Sequence, residues 1–336
     1  MKSIIRLVAL ALTATAALAL AGNALATPKL SVRQSSTSLT MRVSQAQSDP
    51  APARTQIFVP TGYTLNTSQA PGTKIGTVSG TVLAKDLNIS VPGSGDVVVA
   101  PSDTSVPGCA TGQHLAVWLL QLSVAGQNLE IPLQVDPTTG QNAAFGAFQL
   151  AACFPPVDVP QGTPSRSPNG AILLDATVTL SNVFTAPTGA TVWKATVTPY
   201  VAGTGVENTA GTVELRSSVR PGLVTLVTRL LSRRARTLRV SGSVTQAGAG
   251  IAGQSVNLLL NGKARFRART SPRGLYTVVL KKTGRKSTTT FQARVTVAER
   301  DITSSGCQSP TLPGVRCVSA TAAGFTALSR KIRVQL

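Results

Sequence analysis

Apolar and polar residues alternate along most of this chain with a period of two, and a helical period is almost absent. Ser38–Ser44, Arg54–Val59, Lys74–Ala84 and Leu87–Val91 are rich in β-branched residues and predict strands. His114–Val124, Asn128–Val135, Ile172–Phe184 and Thr191–Val201 read the same way. Pro and Gly clusters (VPGSG, VPGCATG, DPTTG, APTG) separate these runs. Short strands at such spacing predict an antiparallel sandwich. Phe154–Gly170 is too rich in proline for strand or helix and predicts a long surface loop.

The stretch Thr228–Gly242, TRLLSRRARTLRVSG, admits two readings. Leu223, Leu226, Val227, Leu230 and Leu231 fall at helical spacing with arginines opposite, as in a basic amphipathic helix. The other reading is a strand, a turn at SRRAR, and a second strand. In that second strand Leu238, Val240 and Val244 face one way, and Thr237, Arg239, Ser241 and Ser243 the other. The Val and Thr content favours the strand.

Downstream residues add weight to it. Gly242, Val244, Ile251, Gly253, Val256, Thr270, Gly274 and Tyr276 stand in the order Gly-x-Val strand, Gly-containing turn and strand, then a Thr-x-x-x-Gly-x-Tyr turn into a further strand. In this pattern Arg239–Leu280 resembles bacterial immunoglobulin-like and carboxypeptidase-regulatory-like β-sandwich domains. The resemblance extends over about a hundred residues and implies a sandwich with Tyr276 as an inward anchor. It implies no chemistry, because a fold does not fix a function. The N-terminal part is reminiscent only of exported bacterial β-proteins without a named activity. The expected fold class is therefore all-β, with two antiparallel, immunoglobulin-like β-sandwich domains.

The first residues read as an export signal. Lys2 and Arg6 precede the apolar run Leu7–Gly22, and Ala24-Leu25-Ala26 supplies a small-x-small cleavage site. A signal peptide over 1–26, cleaved after Ala26, places the mature chain outside the cytoplasm, secreted or associated with the cell envelope. Retention of this segment as an anchor is the alternative. No cysteine follows the apolar run for lipid attachment, and SRKIRVQL at the other end is not an apolar tail. Export makes the four cysteines a disulfide framework, with local pairing Cys109–Cys153 and Cys307–Cys317 expected. No Cys-x-x-Cys occurs and His114 is the lone histidine, so neither a metal nor another cofactor is expected.

Charge divides the chain sharply. Thr27–Leu215 has eight basic and ten acidic residues, whereas from Arg216 onward 22 basic residues face only Glu299 and Asp301. The domains are accordingly drawn as 27–215, a linker at 216–222, and a basic domain at 223–336. Lys263, Arg265, Arg267 and Arg269 are expected on one strand face. Arg233, Arg234, Arg236 and Arg239 add charge upstream, and Lys281, Lys282, Arg285 and Lys286 downstream. These twelve residues are the candidate anionic-surface site. A solubilising face normally mixes both signs, so a one-signed face points to a polyanionic partner. Outside the cell that partner is an anionic cell-envelope polymer or polysaccharide. Nucleic acid is not an expected physiological partner, since export removes it and stacking aromatics are few.

Catalytic patterns are missing. There is no His-Glu-x-x-His, Gly-x-Ser-x-Gly or phosphate-binding Gly-x-x-x-x-Gly-Lys-Ser/Thr. The acids of the N-terminal part are scattered, and Asp96 and Asp103 are the nearest to a calcium loop. Trp118 and Trp193 lie in apolar runs, where inward packing is the default. The expectation is an exported, non-enzymatic binding or structural module held to an anionic surface by its basic domain. The alternative is a carbohydrate-binding or adhesin-type module in which that domain is a spacer.

Overall fold

The computed structural model describes residues 28–35, 37–105, 109–232, 234–246, 248–281, 288–309, 311–312 and 314–335. The expected signal segment 1–26 lies outside these residues, as do Arg233, Lys282, Arg285 and Lys286. The fold is all-β, as the alternation requires. Among the described residues no helix is long and apolar enough to cross a membrane.

The first unit contains β1 (Lys29–Gln34), β2 (Ser38–Ser44), β3 (Pro52–Val59), β4 (Thr64–Leu65), β5 (Lys74–Ala84) and β6 (Ile89–Ala100). It continues with β7 (Ala116–Val124), β8 (Gln127–Pro137), β9 (Phe148–Cys153), β10 (Ala171–Ser181), β11 (Phe184–Thr185), β12 (Thr191–Pro199) and β13 (Val213–Val219). The second unit contains β14 (Gly222–Val224), β15 (Val227–Ser232), β16 (Thr237–Gln246), β17 (Ala249–Gly250), β18 (Ser255–Leu260), β19 (Lys263–Arg269), β20 (Leu275–Lys281) and β21 (Thr288–Val297). After these come β22 (Arg300–Asp301), the short helix α1 (Thr303–Gly306), β23 (Arg316–Ala322), β24 (Phe325–Leu328) and β25 (Ile332–Gln335).

One hydrogen-bonded path of 13 strands, β1-β2-β10-β5-β6-β7-β8-β9-β3-β12-β13-β23-β22, forms the first unit. It bends over a single core containing Leu30, Trp118, Leu150, Trp193 and Leu215. The bend brings β1 back against β13 and β23. Side-chain hydroxyls, not a backbone ladder, fasten it there. Val32 N donates to Ser217 Oγ (2.9 Å), Thr321 Oγ1 donates to Leu30 O (2.8 Å), and Ser319 Oγ donates to Pro28 O (2.7 Å). These small polar residues are buried because they satisfy backbone groups that would otherwise be orphaned.

Three features depart from the sequence pattern. VPGSG does not end a strand: β6 runs through it. A Cβ on Gly95 would lie 1.7 Å from Gln121 O, so glycine permits the close approach of β7. Pairing with β7 begins at Gly93, which leaves Pro92 beyond that ladder, where its missing N–H costs nothing. The expected linker 216–222 is strand as far as Val219, because Ser217 and Ser218 are small enough to pack inside; only Arg220 and Pro221 separate β13 from β14. Finally, β23 leaves the basic region and pairs in parallel with β13. Buried Glu214 secures this return: Thr311 N (3.1 Å), Thr311 Oγ1 (2.9 Å) and Arg216 Nε (2.6 Å) all donate to it.

Both disulfides have the local pairing, Cys109–Cys153 and Cys307–Cys317, with Cα separations of 5.7 and 5.4 Å. The first ties the Ser102–Ala116 loop region to β9; the second closes the excursion between α1 and β23.

The second unit packs two sheets over Val240, Val244, Val256, Leu258, Tyr276, Phe291 and Val295. One sheet has β16 at its centre, with β14 and β15 on one side and β20 on the other. The other runs β19-β18-β21, with β24 and β25 both pairing β21. Thr228–Gly242 is thus a strand, a turn and a strand, not a helix. The residues that carry the family resemblance each have work in the structure. Tyr276 is 2% exposed and its hydroxyl donates to Thr225 O. A Cβ on Gly242 would sit 2.1 Å from that same carbonyl oxygen. Thr270 Oγ1 donates to Ile251 O (2.7 Å), Val244 and Val256 are fully buried, and Gly253 and Gly274 take positive φ.

Candidate functional site

The charge division has a simple structural form. The stretches 222–297 and 325–335, which form the second sandwich, have 18 Lys and Arg in sequence, 14 of them among the described residues, and no Asp or Glu. The two acids beyond Arg216 both turn toward the first unit: Glu299 accepts from Ser31 Oγ, and Asp301 lies 3.8 Å from Lys29 Nζ. Arg239, Lys263, Arg265 and Arg267 have no carboxylate partner among the described residues. Arg269 Nε donates to Gly253 O (3.2 Å), a neutral acceptor.

Strand register distributes the candidate residues over one end and two faces of this sandwich. Arg234 and Arg236 occupy the turn between β15 and β16. Lys281 stands opposite Thr237, at the strand end beside that turn. Lys263 follows the Asn261-Gly262 turn, in which both residues have positive φ, as a two-residue hairpin demands. β21 begins at this same end, where Asn261 N donates to Thr290 O (2.9 Å), and Gln246 at the opposite end of β16 meets the crossings to the first unit, so these cations form a basic tip remote from that unit. Lys263, Arg265 and Phe266, with Leu260, Asn261 and Thr289, line an open depression of about 540 Å³ there.

The expected common face of β19 is interrupted. A bulge between Leu258 and Leu259 leaves Arg265 as the extra residue. Arg267 and Arg269 stand opposite Asn257 and Ser255 on the outer face, whereas Lys263 stands opposite the core-packed Leu260. Register also adds residues that the sequence reading omitted. Arg294 is opposite Asn257, giving a transverse row Arg267-Asn257-Arg294, and Arg333 is opposite Thr290 on the same sheet. At a strand spacing of about 4.8 Å the two arginines of that row have Cα atoms about 10 Å apart. On the other sheet Arg239 faces Arg229 directly. The alternation of Phe291, Ala293, Val295 and Val297 was the signal that Arg294 points outward.

The remaining candidates resolve into packing. Trp118 and Trp193 are 1% and 0% exposed and share an aromatic cluster with Phe184 and Tyr63, so neither offers a sugar-stacking surface. His114 Nδ1 lies 2.7 Å from Asp136 Oδ2, and that carboxylate also accepts from Leu115 N (3.3 Å), an arrangement that fixes the start of β7. Asp96 pairs with Lys74 (2.7 Å). Among the described residues no three His, Cys, Asp or Glu side chains converge on a metal position.

A second feature has no counterpart in the sequence reading. A cleft of about 600 Å³ opens at one end of the first unit, between the β5–β6 hairpin, the β7–β8 hairpin and the 154–170 loop. Ala51, Val157 and Ile172 line it and pack with Leu83 behind them. The loop is clamped by Arg166, which donates to both carboxylate oxygens of Asp86 (2.8 and 2.7 Å) and through Nε to Val159 O (2.8 Å). The guanidinium holds the Asp86 carboxyl below the ordinary aspartate range. Tyr200 Oη donates to Phe154 O (2.6 Å) at the other side of the loop.

No protein-family model matches the chain, and no curated protein matches it. A solved structure of a tetra-tandem repeat in the extending region of a large adhesion protein aligns over 92% of this chain and 82% of its own. Identity is 12% and the TM-score 0.25, a likeness too slight to inform either fold or function.

Proposed function

We propose that this chain is an exported, non-enzymatic binding module of the cell envelope, held to an anionic polymer or polysaccharide by its second sandwich. The observation that carries the reading is the second sandwich, whose described residues carry 14 cations and no acid. A surface that served only solubility would carry both signs. Here like charges face each other across strands, as Arg229 and Arg239 do, and each such pair costs stability. A polyanion offsets that cost when it binds. The basic tip and the Arg267-Asn257-Arg294 row supply separate points of contact, which suits a long flexible polymer better than a small anion. Neutral Asn257, Gln292 and Thr290 between the arginines offer hydrogen bonds to the hydroxyls of such a polymer. Support for export comes from the pattern of Lys2, Arg6 and Ala24–Ala26 and from two disulfides, which persist in oxidising compartments.

The test is retention of the full mature chain on isolated cell envelopes and on an acidic polysaccharide column across a salt gradient. Electrostatic retention falls steeply as the screening length shrinks from about 10 Å at 0.1 M to about 3 Å at 1 M salt. Retention that is unchanged over this range rejects the proposal. Arg267→Gln with Arg294→Gln is expected to elute at lower salt than the parent chain.

A further inference from the structure

From the cleft of the first unit we infer a binding site for a linear aliphatic chain bearing an uncharged head, as in a lipid or long-chain alcohol. This inference stands independently of the basic unit. At about 600 Å³ the cleft falls in the size range of small-molecule sites, and its lining is mainly aliphatic, as in such sites. Its mouth carries Leu87 and Ile89, which are 60% and 48% exposed on the β5–β6 hairpin. Inward, the cleft meets a second void of about 70 Å³ between the two halves of the bent sheet. Ile131, Phe154 and Leu173 line both spaces, which therefore adjoin. The inner void is walled by Met41, Leu120, Leu150 and Val178, with Thr55 the only polar side chain. A wide apolar cleft adjoining a small apolar void suits the profile of a chain better than that of a flat ring or a sugar.

The charge at the site chooses the head group. Among the described residues Glu130 is the only charged one lining the cleft, and no cation lines it. The nearby cations Lys85 and Arg166 are already paired with Asp158 and Asp86. A carboxylate or phosphate at the mouth would meet one unneutralised negative charge and no free positive one, so a neutral head is preferred. The exposed polar lining groups Asn128 and Asn169 are placed to hydrogen-bond a hydroxyl or ester there. The walls are held in place by the Arg166 clamp and the Cys109–Cys153 bridge, which makes the site preformed.

The experiment uses the full mature chain and the neutral fluorophore 1-aminoanthracene. Saturable, blue-shifted fluorescence that is displaced by dodecanol is expected. Dodecanoic acid should displace it more weakly, by about tenfold, a difference of about 1.4 kcal/mol. Displacement by monododecanoylglycerol, a lipid with an uncharged head, as well as by dodecanol assigns the chain to an envelope lipid; displacement by dodecanol alone assigns it to a free alcohol. Ala84→Trp fills the cleft from β5 and should weaken binding about tenfold or more. Ile89→Asp alters only an exposed mouth residue, so it tests the site even if Ala84→Trp disturbs folding; it should weaken binding in the same direction. Absence of saturable binding, or equal affinity in the parent and Ile89→Asp chains, overturns the inference.

Discussion

Arg239→Gln should stabilise the second sandwich, and the gain should vanish in salt. Arg239 on β16 stands directly opposite Arg229 on β15, and neither has a carboxylate partner among the described residues. Cross-strand neighbours put the two guanidinium groups about 6 Å apart, which in a water-like dielectric is a repulsion of about 0.7 kcal/mol. Screening at 0.1 M salt leaves about 0.4 kcal/mol, and at 1 M about 0.1 kcal/mol. Glutamine keeps the stem and a polar tip, so the change removes charge with little loss of packing. Both tryptophans belong to the first core, so their fluorescence does not follow this unit. Amide hydrogen exchange of Leu238, Val240 and their β20 partners does. The expected result is exchange slowed about twofold at 0.1 M salt and nearly unchanged at 1 M. Adding Arg229→Gln should give little further gain, because the pair is already relieved. Faster exchange in Arg239→Gln, or the same gain at both salt concentrations, would refute the claim that unrelieved like charge strains this surface.

Three further outcomes follow from the geometry. Replacing Cys307 and Cys317 by serine opens a loop whose ends are 10 residues apart, at a cost of about 3 kcal/mol by loop entropy; exchange at β23 should quicken more than at β10. Tyr276→Phe removes the donor to Thr225 O and leaves a carbonyl short of a partner, costing about 1–2 kcal/mol in the urea unfolding of the second unit. The Asp86 carboxyl is held low by Arg166, so its contribution is fully present above the unfolded aspartate value of about 3.9 and is lost as pH falls through the depressed folded value. Limited proteolysis at acid pH should therefore open the 154–170 loop in the parent chain, whereas Asp86→Asn should be cleaved there already at pH 7.

What the sequence revealed was what period two encodes. β2 and β5 begin and end where the alternation does, because each has one face in a core and one turned away from it. The inward set Leu238, Val240 and Val244 was legible for the same reason. Features set by distant partners were not. Arg316–Ala322 ends in the small residues Ser, Ala, Thr and Ala, and nothing local in it specifies parallel pairing with a strand a hundred residues earlier. The extra residue at Arg265 is invisible without the register of β18. The cleft draws its walls from four separate stretches, each unremarkable alone, and its loop appeared in the sequence only as an excess of proline.

The return of β23 to the first unit also changes how the two halves are joined. The chain crosses between them three times: at Arg220–Pro221, at Ala298–Glu299 and at Ala323–Gly324. Gln246 braces the crossings by donating to Ala323 O (3.0 Å) and accepting from Arg300. A tandem pair on one linker falls apart at a single peptide-bond cut. A nick beside Pro221 would leave this molecule as two fragments held together without a covalent link, by the β13–β23 ladder and the hydrogen bonds of Thr311 to Glu214. A load pulling on the second sandwich would be shared between the Arg220–Pro221 link and the β13–β23 ladder, through which the other two crossings act.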